Sequence, residues 1–76
     1  MPNLLFVRAE WDAEAGVWVA TSDDVPGLAT ESETIEALIE KLRIMIPELL
    51  TANGMPDDDV PFELLTRRFE IARRAA

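Results

Sequence analysis

Residues 35–50 read Ile-Glu-Ala-Leu-Ile-Glu-Lys-Leu-Arg-Ile-Met-Ile-Pro-Glu-Leu-Leu, and this stretch decides the fold. Its apolar residues Ile35, Leu38, Ile39, Leu42, Met45, Ile46, Leu49 and Leu50 recur at i, i+3, i+4 and i+7. At about 100° per residue they line one face of a helix, which is predicted near residues 34–52. Ser32 or Thr34 can cap its start, and Glu33 and Glu36 lie where the helix dipole favours anions. Asn53-Gly54 supplies a pair tolerant of the left-handed conformation that ends helices. Pro47 lacks the N–H that would bond the carbonyl of Arg43, so a kinked but continuous helix is expected. Ile44 points away from the apolar stripe and, with Ala37 on the same outer face, makes a small apolar spot between Glu40, Lys41 and Glu48. It is either a solitary exposed side chain, which is common, or a contact for a second subunit or partner.

On the N-terminal side the periodicity changes from helical to alternating. Leu5, Val7, Ala9 and Trp11 share one face of a strand near 4–11, and Leu4, Phe6, Arg8 and Glu10 share the other. A polar loop, Asp12 to Gly16, turns the chain into a second strand near 17–22, its Gly supplying a left-handed residue. Pro26-Gly27 fits the centre of a type II turn, because Pro presets φ and Gly accepts a positive one. A short third strand is predicted at 27–31. On the C-terminal side, residues 53–61 hold two prolines and Asp57-Asp58-Asp59 and read as a loop. A last strand is predicted over 62–71, followed by a basic tail at 72–76. Its facing is mixed: Leu65, Phe69 and Ile71 share a parity with Arg67, and Phe62 and Leu64 take the other. The expected class is α+β: a three-stranded antiparallel meander, one helix packed on the sheet, then a final strand, all in one domain over 1–76.

Composition narrows the function. With no Cys and no His, the chain offers no disulfide, no thiolate metal site and no histidine general base. A core of 76 residues supplies little stability without a staple, and self-association is the staple left. The chain is therefore expected to form a homodimer or higher oligomer, with a free edge on the last strand. No apolar run approaches the ~20 residues of a membrane span, and Met1 to Arg8 reads as a first strand and not as a signal peptide, so the cytoplasm is the default location.

Charge is unevenly placed. Up to Glu63 the chain carries fourteen acidic residues against Arg8, Lys41 and Arg43. From Thr66 onward Arg67, Arg68, Arg73 and Arg74 stand against Glu70 alone. An acidic body repels nucleic acid and attracts basic proteins. The basic end could touch phosphate, and the expectation is that it is solvated or paired with the chain's own carboxylates.

Three sequence fragments, Gly16-Val17-Trp18-Val19-Ala20, Val25-Pro26-Gly27-Leu28-Ala29-Thr30 and Thr34-Ile35-Glu36-Ala37-Leu38, carry a family resemblance. In this order, and spanning Val7 to Leu50, they resemble the N-terminal domain of HicB-type antitoxins. Glu10 to Asp12, Ser22 to Leu28 and Ile46 to Leu50 look closer to a small bacterial offshoot of little more than this one domain. The resemblance implies a β-β-β-α-β arrangement of the partial RNase H type. It also implies binding to a small basic toxin that cleaves mRNA, a HicA-like ribonuclease. Family members carry a separate DNA-binding domain after this one. Here the sequence ends soon after the last strand, and autoregulation by this chain alone is not expected.

A two-metal nuclease would need several carboxylates converging on metals about 3.5–4 Å apart. Glu10, Asp12, Asp23 and Asp24 lie at hairpin ends, where acidic residues are ordinary surface, and no catalytic role is assigned. Asp57-Asp58-Asp59 lacks the alternation, the Gly and the closing Glu of a calcium loop. No cofactor or metal is implied. Trp11 and Trp18 lie on opposing strands and can pack across the hairpin, or be exposed as binding anchors. Trp11, Trp18 and Ile44 are thus the candidate contacts. Two functions remain: an antitoxin-like binding module, or a stand-alone structural or regulatory oligomer.

Overall fold

A computed structural model describes residues 4–55 and 59–75. Its elements are β1 (Leu5–Asp12), β2 (Val17–Thr21), β3 (Ala29–Ser32), α1 (Ile35–Ala52) and β4 (Phe62–Arg67). The four strands form one sheet in the order β3-β2-β1-β4. β1 pairs antiparallel with β2, β2 antiparallel with β3, and β4 parallel with β1. This is the α+β, β-β-β-α-β arrangement that the alternating and helical periodicities predict.

The turns form where their residues allow. Gly16 adopts φ 68°, and its N–H donates to the Asp12 carbonyl at 2.8 Å. The Asp12 carboxylate accepts from the N–H groups of Glu14 and Ala15 at 3.1 and 3.2 Å, fixing the hairpin loop. At the next reversal the Leu28 N–H donates to the Val25 carbonyl at 3.1 Å, with Gly27 at φ 85°, the geometry of a type II turn.

Of the two predicted caps, Thr34 is the one used. Its hydroxyl accepts from the Ala37 N–H at 3.0 Å, whereas Ser32 is the buried last residue of β3. α1 runs unbroken through Pro47, which lies on its exposed side. The helix ends in paired contacts, Met55 N–H to Leu50 carbonyl and Gly54 N–H to Thr51 carbonyl, both 3.0 Å, with Gly54 at φ 78°. The Asn53 amide adds a bond to the Leu49 carbonyl at 2.8 Å.

The core lies between α1 and one face of the sheet. Leu38, Leu42, Ile46 and Leu50 meet Leu5, Val7 and Ala9 of β1 and Ala20 of β2, and Val25 and Leu28 close one end from the loop. Burying each such Leu or Val contributes about 1.5–3 kcal/mol. Phe62 and Leu64 of β4 pack against the edge of this cluster.

Two predicted boundaries are corrected. The third strand begins at Ala29 and not at residue 27, because Gly27 and Leu28 are still in the turn and Leu28 is buried as its anchor. The last strand stops at Arg67 and not at Ile71. Its pairing with β1 runs from Leu5–Phe62 to Glu10–Arg67, and β1 itself turns away after Asp12. The ladder ends two residues before β1 does, at Arg67, so the alternation of Phe69 and Ile71 is not part of the sheet. Of the predicted loop at 53–61, Pro56, Asp57 and Asp58 lie outside the described residues, and Asp59 is exposed.

Candidate partner-binding surface

The three candidate residues are placed on two different surfaces. Trp11 and Trp18 are directly opposite in the β1–β2 register, on the face of the sheet that also carries the helix. Both are half-buried, with ring centroids 5.3 Å apart and planes inclined by 59°. The guanidinium of Arg68 lies 4.2 Å from the Trp11 ring centroid and 5.9 Å from that of Trp18. A cation held over an indole face is attracted by its quadrupole, so Arg68 covers the pair from outside. Arg68 also bonds the carboxylate of Glu70. Of the basic end, Arg68 is therefore held by aromatic rings and by its own neighbour, whereas Arg73 and Arg74 are exposed. Sequence reasoning misses that role for Arg68, because it reads only the charge count of the tail.

Ile44 is on the outer side of α1 and is 62% exposed. Around it lie Glu40, Lys41, Pro47 and Glu48, all exposed. It remains a solitary apolar residue on a polar helix face, remote from the tryptophans in the layer order of the fold.

The other face of the sheet has no helix over it among the described residues. The strand registers place Phe6 beside Glu63, Arg8 between Thr21 and Leu65, and Glu10 between Val19 and Arg67. Residues paired across strands share a face, so these side chains form one open surface. Phe6 is 46% exposed and Leu65 51%, with Leu4 also exposed beyond them. Between Phe6, Arg8, Thr21, Asp24 and Leu65 lies a shallow depression of about 360 Å³. The registers place Glu10, Glu31 and Glu63 on this same face together with Arg8 and Arg67, all exposed. The signal for this surface is legible in the alternation of β1, which puts Phe6 opposite in facing to Leu5 and Val7.

The corner of that surface is pinned by two polar side chains. β2 leaves β1 after Thr21, and Phe6 would lose its ladder partner there. Instead the Phe6 N–H donates to the Asp24 carboxylate at 2.8 Å, and the Ser22 hydroxyl donates to the Phe6 carbonyl at 2.6 Å. The Asp24 N–H donates back to the Ser22 hydroxyl at 3.0 Å. Short polar side chains at a strand end imitate the missing strand. Asp24 and Asp12 thus serve backbone geometry, and Glu10 faces Arg67 across the β1–β4 ladder. Among the described residues no group of three or more acidic side chains is arranged to hold a metal ion. Among them, too, no helix is long and apolar enough to cross a membrane.

A crystal structure of a hypothetical protein from the extremely thermophilic bacterium Thermus thermophilus is similar to this chain. The two are 51% identical, the match covers 95% of this chain and 100% of that one, and the TM-score is 0.72. None of the curated proteins matches. Residues 4–74 match the family described as "Domain of unknown function (DUF1902)", and the chain belongs to that family.

Proposed function

We propose that this chain is a non-catalytic, antitoxin-like binding module that engages a small basic ribonuclease through the helix-free face of its sheet. The observation that carries the reading is the apolar centre formed by Phe6 and Leu65, which no described element of the chain covers. Apolar surface flanked by charge is what a protein partner desolvates, and the aromatic residue is its natural anchor. The acidic body supports a basic partner, since it would speed association and compete with that partner's RNA. The resemblance of Val7 to Leu50 to HicB-type antitoxins supplies the partner's class, a HicA-like mRNA-cleaving toxin. The setting for this role is the cytoplasm, where mRNA is the toxin's target.

The test is co-expression with a small basic ribonuclease encoded beside this chain. Rescue of growth and co-purification of the two proteins are the expected results. Growth arrest that persists, with the ribonuclease purifying alone, would remove the antitoxin reading. The second reading, a stand-alone structural or regulatory homo-oligomer, is favoured by one observation: the exposed apolar and basic segment that follows β4.

A further inference from the structure

From Leu65 to Ala75 every residue is exposed. Phe69 is 84% exposed and Ile71 66%, although both belong to the alternating pattern that continues β4. Arg68 stands over Trp11, the residue that follows Glu10 in β1, so the segment leaves the body still running in the direction of β4. The molecule measures 57 × 24 × 19 Å, with a radius of gyration of 14.8 Å. A compact domain of this length would have a radius of about 11 Å. Residues 68–75 are an arm with strand-like alternation, apolar and basic, projecting from an acidic body. β4, from which it grows, is the end strand of the sheet, and among the described residues its outer edge carries no strand.

We propose that this edge and arm pair with the same edge and arm of a second copy, antiparallel about a two-fold axis, joining two four-stranded sheets into one. The pairing needs only the chain itself and is independent of the identity of any toxin. An unpaired edge is a template for another strand, and a self-complementary edge closes as a dimer. Because the helices of both copies must lie on the same side, side chains facing the same way must meet, and the allowed registers differ by two residues.

One register satisfies the chemistry. With the two Arg68 residues at the axis, Glu63 stands opposite Arg73 of the second copy, Leu65 opposite Ile71, and Leu64 opposite Ala72. Opposite charges and apolar pairs then coincide at these three positions, while Phe62 meets Arg74, Thr66 meets Glu70 and Arg67 meets Phe69. A shift of two residues one way sets Leu64 against Glu70 and the two Arg67 residues against each other. A shift the other way sets Leu64 and Leu65 against Arg74 and Arg73. The two Arg68 side chains at the axis are each drawn to their own Trp11 and Glu70, which relieves their mutual repulsion.

The experiment is sedimentation of the full chain, without any partner, at micromolar concentration. The wild type is expected to be a dimer. Glu63→Arg places like charges opposite Arg73, and Arg73→Glu opposite Glu63, and each is expected to weaken dimerisation about tenfold or more. The double variant restores opposite charges and is expected to restore the dimer. Circular dichroism of each variant checks that the fold is retained, which the exposure of both positions favours. A monomeric wild type, a folded single variant that dimerises as tightly as wild type, or a double variant that stays monomeric would overturn the proposal.

Discussion

Trp11 and Trp18 are paired directly across the first hairpin, with ring centroids 5.3 Å apart, and Arg68 from the far end of the chain closes over them. This contact ties the segment after β4 to the hairpin, where the backbone ladder has already ended. Arg68→Ala is expected to expose the indoles, shifting tryptophan emission to longer wavelength, and to cost about 0.5–1 kcal/mol. Fluorescence and urea unfolding measure the two effects. Unchanged emission would mean that the guanidinium does not cover the rings in solution.

Asp24 and Ser22 take the place of a strand at Phe6. Asp24→Ala removes the acceptor for the Phe6 N–H, and because the site is exposed the expected cost is only about 1 kcal/mol. The local consequence is sharper. Amide exchange at Phe6 should accelerate while that of Val7 and Ala9, inside the core, changes only with global stability. Equal acceleration at all three positions would argue against a local clamp.

Leu42 is fully buried at the centre of α1. Leu42→Ala is expected to cost about 2–5 kcal/mol, a large share of what a domain this small possesses. Thermal or urea unfolding should show a chain largely unfolded at ambient temperature. Loss of less than about 1 kcal/mol would mean that the core collapses to fill the space.

Gly27 separates conformational cost from crowding. A Cβ there would meet only Leu49 Cδ2, at 3.7 Å, an ordinary contact. The φ of 85° is the obstacle, since a side chain in the left-handed region costs about 1–2 kcal/mol. Gly27→Ala should therefore destabilise by that amount, and Gly27→Asn by less, because Asn tolerates this region. Equal losses for the two would point to packing instead.

Much of the fold could be read from periodicity, because each buried side chain sits at the spacing its element requires. Leu38, Leu42, Ile46 and Leu50 recur every four residues, and Leu5, Val7 and Ala9 every two, and all are buried. Gly16, Gly27 and Gly54 mark turns that demand a positive φ. The end of β4 is not legible, since Phe69 and Ile71 keep a strand's alternation although the pairing with β1 stops at Glu10–Arg67, two residues short of the end of β1. Long-range partners of charged groups were equally hidden. Nothing near Arg68 in the sequence shows that Trp11 will be beneath it, and Asp24 looks like any surface carboxylate until Phe6 is placed beside it. Of the contact residues proposed from sequence, the tryptophans lie under Arg68 and Ile44 on the helix, whereas the open apolar surface centres on Phe6 and Leu65. That centre joins strands from the two ends of the chain, and only their register brings it together.

The central claim is that a basic ribonuclease is held on the helix-free face, and affinity measured by titration calorimetry tests it most directly. Wild-type chain, Phe6→Asp and Ile44→Asp are compared against the co-encoded ribonuclease at fixed salt. Phe6→Asp places a charge in the apolar centre and is predicted to weaken binding by more than about tenfold. Ile44→Asp, on the opposite side of the molecule's two layers, is predicted to bind like wild type. Binding that survives Phe6→Asp, or that is lost with Ile44→Asp alone, would contradict the assignment of the sheet face as the partner's site.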